Sequence, residues 1–177
     1  MFDYKFNIRM IKIFSFLTII AFFMPFFAIA NPVNPSDPGI IFSGLEISTG
    51  KIVLNEWRSG SIFGFAALIP SVILFVLSFF IHKAKTAAGY NILKTVFFII
   101  PVFDLFAGFV LRYAFKAAVI KNIYEKSIAS ENFLESVIMR EIAKIININI
   151  KFGFALYIIF NIGVFAFAAV NYFTERE

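Results

Sequence analysis

Residues 31–60 read NPVNPSDPGIIFSGLEISTGKIVLNEWRSG, a polar interval without helical periodicity held between two long apolar runs. Pro32, Pro35 and Pro38-Gly39 preclude regular helix and mark turns. Beyond them, Ile40-Ile41-Phe42, Leu45-Glu46-Ile47 and Lys51-Ile52-Val53-Leu54 are short runs separated by Ser43-Gly44 and Thr49-Gly50. Leu45 and Ile47 alternate with Glu46 and Ser48, which is the period of a strand. The interval therefore predicts two or three short antiparallel strands, with the tightest turn at Thr49-Gly50-Lys51. Trp57 stands just before the next apolar run, where an indole suits the headgroup layer, so it is expected to be an interface anchor. Contact with a partner protein is the sharper alternative for it.

Outward from this interval, the chain is mostly hydrocarbon-compatible. The hydrophobic fraction is 60%, with 27 Phe, and the mean hydropathy is +0.87. Soluble domains hold roughly 45–50% apolar residues, so the bilayer is the solvent for much of this chain. The excess of Phe, Ile, Asn and Lys fits an A- and T-rich genome and a bacterial source. With 0 Cys there is no disulfide frame, thiolate metal site or thiol nucleophile. The net charge of +5 lies at the ends of apolar runs, where Lys and Arg anchor spans, which excludes nucleic acid as a partner.

Four spans are expected, at about 13–30, 61–81, 93–111 and 152–173, each near the length that crosses roughly 30 Å of hydrocarbon. The first has a second reading. Lys5, Arg9 and Lys12, an apolar centre, Pro25 and Ala28-Ile29-Ala30 also form a secretory signal that would be cut after Ala30. In the second span Gly60, Gly64, Ala67, Ser71 and Ser78 recur at steps of three, four or seven and predict a helix-packing seam. The third span is expected to run on to about Lys126, with Ser130 capping a following helix. In that helix Leu134, Ile138, Ile142, Ile145 and Asn149 share one stripe, and Asn132, Ser136, Arg140, Lys144, Asn147 and Lys151 another. The fold class is thus an all-α membrane protein: a four-transmembrane-helix bundle with a small exterior β-hairpin element and an exterior helical hairpin over 112–151.

The positive-inside rule puts the basic N-terminus and the His82–Lys94 loop in the cytoplasm and 31–60, with only Lys51 and Arg58, outside. Parity then puts 112–151 outside too, although it carries seven Lys and Arg against four Glu. That conflicts with the rule, which weakens for longer or folded loops.

Asp104 most needs explaining. It stands near the middle of the third span, where a carboxylate costs at least about 2.5–3.5 kcal/mol. Ser71 and Asn161 come to a similar depth, and Tyr157 is one turn from Asn161. They predict a mid-membrane polar cluster of Asp104, Ser71, Asn161 and Tyr157, in which a neutral, hydrogen-bonded acid is the resting form. Such a cluster glues a bundle together or relays a proton or cation. Pro70 and Pro101 lie nearby and each frees a carbonyl one turn earlier, as ion-binding broken helices also do. Catalysis finds little footing. His82 is the single His and reads as a polar interfacial residue, Glu46 and Glu56 have no specifying spacing, and no HExxH, GxSxG or phosphate-cradling Gly loop occurs. No cofactor or metal is expected.

Pro25-Phe26 and Ser43-Gly44-Leu45-Glu46-Ile47-Ser48-Thr49-Gly50 resemble uncharacterised small bacterial four-transmembrane proteins in which Pro-Phe closes the first span and a Ser-Gly-x-Glu segment follows. The layout also looks like the claudin architecture, although the paired Cys and Gly-Leu-Trp motif of claudin first loops are absent. The resemblance implies an architecture and no activity. The expected function is an inner-membrane structural or interaction protein presenting 31–60 and 112–151 to a membrane protein partner or to a second copy. A transporter or channel subunit using Asp104 is the alternative.

Overall fold

A computed structural model describes residues 4–30, 39–53, 56–81, 87–130 and 132–173, with the backbone alone at 4, 52, 53, 56–59 and 87. Six helices dominate it: α1 (Tyr4–Phe22), α2 (Gly44–Thr49), α3 (Ile62–Leu77), α4 (Ala87–Ala129), α5 (Phe133–Ile145) and α6 (Phe152–Phe173). Five short strands accompany them: β1 (Pro25–Ile29), β2 (Ile40–Ser43), β3 (Gly50–Val53), β4 (Glu56–Ser59) and β5 (Ile148–Ile150). The chain is therefore mostly helical with a small sheet, and not all-α. Two of the described helices, Ala88–Ala129 and Phe152–Phe173, are long and apolar enough to cross a membrane.

The first expected span divides. Helix α1 takes in the basic residues from Tyr4 and stops at Phe22. Pro25 cannot donate to a continuing helix but is tolerated as the first residue of a strand, and the aromatic pair Phe26-Phe27 suits a pleated surface. Strand β1 is the centre of a three-stranded antiparallel sheet ordered β2-β1-β5. Phe27 pairs with Phe42 on one side and with Ile150 on the other. This sheet brings the 31–60 interval and the segment after α5 to the same end of the bundle. Ala28, in the signal-like reading, is a fully buried member of it.

The strand expected over Leu45–Ser48 is instead α2. Ser43 Oγ accepts from the Glu46 N–H, and the Glu46 side chain reaches back to the Ser43 N–H at 2.8 Å, a reciprocal cap. Two otherwise orphan donors are satisfied locally, and this outweighs a two-residue alternation. The turn expected at Thr49-Gly50-Lys51 is the end of α2, where Gly50 takes φ +100°, open mainly to glycine. Strands β3 and β4 follow as an antiparallel pair, Lys51 opposite Arg58.

Helix α4 is continuous for 43 residues through Pro101. The cap of α5 is Asn132, whose Oδ1 accepts from Leu134 N at 3.0 Å, and not Ser130, which bonds Glu135. Helix α5 ends at Ile145, so Asn147, Asn149 and Lys151 lie beyond the expected stripes. Ile148–Ile150 pair with β1 because a strand there satisfies backbone groups that β1 would otherwise expose at a sheet edge.

Helices α1 and α6 run antiparallel. Gly153 lies against Met24 and Pro25, and Gly163 against the Phe14 ring. Two apolar cores result. One holds Phe22, Phe26, Phe27, Leu111, Phe115 and Phe154 beside the sheet, and the other holds Ile8, Ile11, Leu74, Phe97 and Val164 toward the opposite end. The turns expected at Pro32, Pro35 and Pro38, the residues His82, Lys83 and Lys85, and the side chains of Trp57 and Glu56 lie outside what the structure describes.

Candidate functional site

Between the two apolar cores lies one polar layer. Helix α3 supplies Ser71, α4 supplies Asp104, and α6 supplies Tyr157 and Asn161, all buried to 1% exposure or less. Ser71 Oγ donates to Asp104 Oδ2. The Tyr157 hydroxyl lies 2.7 Å from Asp104 Oδ1, 2.9 Å from the Asp104 carbonyl and 3.1 Å from the Ala67 carbonyl. One hydroxyl hydrogen faces three acceptor oxygens. With the carboxyl ionised, one of those contacts is a hydrogen bond. With the carboxyl protonated, Oδ1 donates to the phenol oxygen and the phenol donates to a carbonyl, so two are satisfied. None of the described ion pairs includes Asp104.

Two residues that sequence spacing did not single out complete the layer. Gly108, one turn after Asp104, leaves room for the phenol ring: a Cβ there would stand 2.6 Å from Tyr157 Cε1. Its signal was a glycine at i+4 from a buried acid, on the same helical face. Ser15 of α1 is fully buried with its Oγ unpartnered, as is Asn161 Oδ1. The α1–α6 register brings these two to one level, so all four long helices contribute to the layer. Asn161 Nδ2 donates to the Tyr157 carbonyl at 3.2 Å, within its own helix.

The small-residue seam expected from Gly60, Gly64, Ala67 and Ser71 separates into two contacts. Gly60 and Gly64 receive α2, since an added Cβ at either would collide with Ser48. Ala67 and Ser71 meet Tyr157 and Asp104 through hydrogen bonds. Pro70 lies within α3 between these two residues. Pro101 lies within α4 below Asp104.

Chemically, the layer holds one carboxyl, one phenol, one carboxamide and the hydroxyls of Ser15 and Ser71. Among the described residues no group of three or more His, Cys, Asp or Glu could hold a metal ion. The hydrogen bonds of Ser71 and Tyr157 with Asp104 and the Ala67 carbonyl join α3, α4 and α6.

The other candidate lies outside the bundle. Ala143 is the one buried residue of α5. Leu134 is 69% exposed, Ile138 58% and Ile145 62%, with Phe133 beside them at 79%, while Ile142 is half-buried, so most of the apolar stripe of α5 does not face the core of its own chain. Comparison of the chain with protein-family models, with curated proteins and with solved structures finds no match to any of them.

Proposed function

We propose that the chain is a four-span protein of a bacterial inner membrane that acts as an interaction subunit, offering the 31–60 and 112–151 layer to a membrane protein partner. The observation that carries this is the uncovered stripe of α5. A soluble surface helix turns such a stripe to its own core, and large exposed apolar patches mark interaction sites. Helix α5 packs back along the outer part of α4, so the stripe runs along a projecting hairpin.

Support for four spans comes from a surface that is inside out. Phe16 on α1, Ile69 on α3, Phe103 and Phe106 on α4 and Ile159 on α6 are all exposed, while the polar layer is buried. Hydrocarbon is the solvent for which that arrangement is stable. Helix α3 has 16 residues and α1 begins with three cations. The cations of α1 reach outward by snorkelling, as Lys12 does with its Nζ 3.8 Å above the Phe79 ring. Lys5, Arg9 and Lys12 mark the cytoplasmic end, and the sheet marks the exterior end.

Photocrosslinking from Phe133 and Ile138 in the native membrane tests the proposal. A discrete adduct at the mass of chain plus partner is expected. A strictly monomeric chain that crosslinks to nothing from either position overturns it. A proton or cation relay through Asp104 is the second reading, favoured by a buried carboxyl without a cation. A pH-dependent flux in liposomes, abolished by Asp104→Asn, would establish it; unchanged flux would dismiss it.

A further inference from the structure

Among the described residues, the buried side-chain atoms without a hydrogen-bond partner are Asn7 Oδ1 and Ser15 Oγ of α1, and Asn161 Oδ1 and Asn171 Nδ2 of α6. All belong to one helix pair. The contacts of Gly163 with Phe14 and of Gly153 with Met24 set the register of that pair. It places Asn7 level with Asn171 as it places Ser15 level with Asn161, so the atoms fall into two tiers. Helix α3 runs antiparallel to α1 with Phe75 against Phe16 and Phe79 beneath Lys12, which puts Ser78 between the tiers. Thr18 stands between Ser15 and the Asp104 layer, whose Tyr157 lies beside Phe22. Ser78 and Thr18 donate to carbonyls of their own helices at 2.6 Å and 2.9 Å and keep lone pairs that accept. With Ser71 and Asp104, these residues make up all the described buried polar ones but two. The other two, Ser48 and Ser127, belong to α2 and to the outer part of α4. Toward the sheet, the buried residues of the bundle are Ala21, Phe22, Phe26, Ala107, Leu111 and Phe154. The polar interior is therefore one-sided.

We infer that water enters the bundle at the end bearing Lys5, Arg9 and Lys12, follows the seam between α1 and α6, and reaches Asp104 from that side alone. The inference rests on the four-span reading and gives the relay reading of Asp104 its route. A buried polar atom left unpaired keeps its desolvation cost uncompensated, and buried waters are what satisfies such atoms inside proteins. The chemistry of the unpaired atoms selects the occupant. Asn7 Oδ1 and Asn161 Oδ1 accept, Asn171 Nδ2 donates, and Ser15 Oγ does both. A cation would meet the amide hydrogens of Asn171, and an anion would meet the two amide oxygens. Water donates and accepts, so it serves all of them. Along the helix axis the longest step is from Asn7 to Ser78, about six residues or about 9 Å. Two water molecules cross that distance in three hydrogen-bond steps of about 2.8 Å.

Silver ion is small and charged, and it caps a buried thiol only where water leads to it. Because the chain has 0 Cys, single cysteines in the full-length protein in sealed vesicles report access without background. Lys121→Cys and a membrane-impermeant maleimide identify the face of the sheet end. Ser15→Cys and Ser78→Cys are expected to lose their thiols to silver nitrate added on the opposite face, read by maleimide labelling after denaturation. Ala21→Cys and Ala107→Cys, on the sheet side of Asp104, are expected to keep theirs from both faces. Asn7→Leu with Asn171→Leu removes the polar atoms of the outer tier and is expected to slow capping of Ser15→Cys about tenfold or more. Misfolding would expose the cysteine and speed capping, so slowing reports the route. Capping of Ser15→Cys from the Lys121 face, or from neither face, overturns the inference. So does equal capping of Ala21→Cys, or capping indifferent to the two leucines. Release of the chain from vesicles by alkaline carbonate would overturn the four-span reading and the inference together. Capping as expected in a protein that shows no pH-dependent flux would end the relay reading alone and leave the water route standing.

Discussion

At the residue scale, Tyr157 and Asp104 form a coupled pair, and coupling is measurable. Tyr157→Phe removes the hydroxyl that meets three buried oxygens and is expected to cost about 1–3 kcal/mol of stability in detergent micelles. Asp104→Asn keeps the shape and a donor, so it should cost less. The double variant should fall short of the sum by about 0.5–3 kcal/mol, because both changes remove the same contact. Strict additivity in reversible unfolding would mean that the phenol and carboxyl do not meet. Gly108→Ala tests the same geometry from the other side. Its methyl group would crowd the phenol ring, at an expected cost of about 1–3 kcal/mol. The acid was legible from sequence because a lone carboxylate in an apolar run has few places to go. Ser71 and Tyr157 followed from depth along the helices. Gly108 and Ser15 did not, because a glycine and a serine acquire meaning only when the neighbouring helix is in place.

At the element scale, α2 shows where one-dimensional pattern misleads. Leu45 and Ile47 alternate as a strand would, yet Ser43 and Glu46 also stand at the spacing of a reciprocal cap. Two satisfied backbone donors decide between them. Ser43→Ala is expected to destabilise α2 by about 0.5–2 kcal/mol, read as faster amide exchange over 44–49 with the long helices unchanged. The cap is also acid-labile. Burial works against the Glu46 carboxylate, but hydrogen bonds from Ser43 and Lys51 and the Lys51 charge together hold it below its ordinary 4.5. A carboxylate lowered on folding contributes stability that is complete above 4.5 and lost as pH falls through the lower folded value. Exchange over 44–49 should therefore rise as pH falls below 4.5, and Glu46→Gln should abolish that rise. Glu46 is part-exposed, so the effect belongs to the small range of surface pairs, about 1 kcal/mol or less. The strand β1 carries a similar lesson. The reading over 13–30 as one span ran through Pro25, because Ile13 to Ala30 contains no charge to separate helix from strand.

At the scale of the whole molecule, sheet order ties the two ends of the chain together. Cleavage after Ala30 would remove α1 and the central strand β1, leaving β2 and β5 without a common partner and α6 without its most extensive neighbour. The intact protein in its native membrane is therefore expected to have a mass that includes residues 1–30. A chain begun at Asn31 should fail to accumulate, and a stable, folded shortened chain would refute the packing. The sequence by itself determined the excess of apolar surface, the uncharged stretch that became α6, the run of α4 beyond its apolar part, and the lone carboxyl within that apolar part. Those follow from composition and from the distribution of charge, which act residue by residue. Tertiary structure alone decided that Pro25–Ile29 is a strand, that Ile148–Ile150 joins it, that the α5 stripe stays uncovered and that a cavity opens along α4. Strand pairing and cavities depend on which distant segments meet, here residues more than a hundred positions apart in β1 and β5. Local hydropathy carries no record of such a partner.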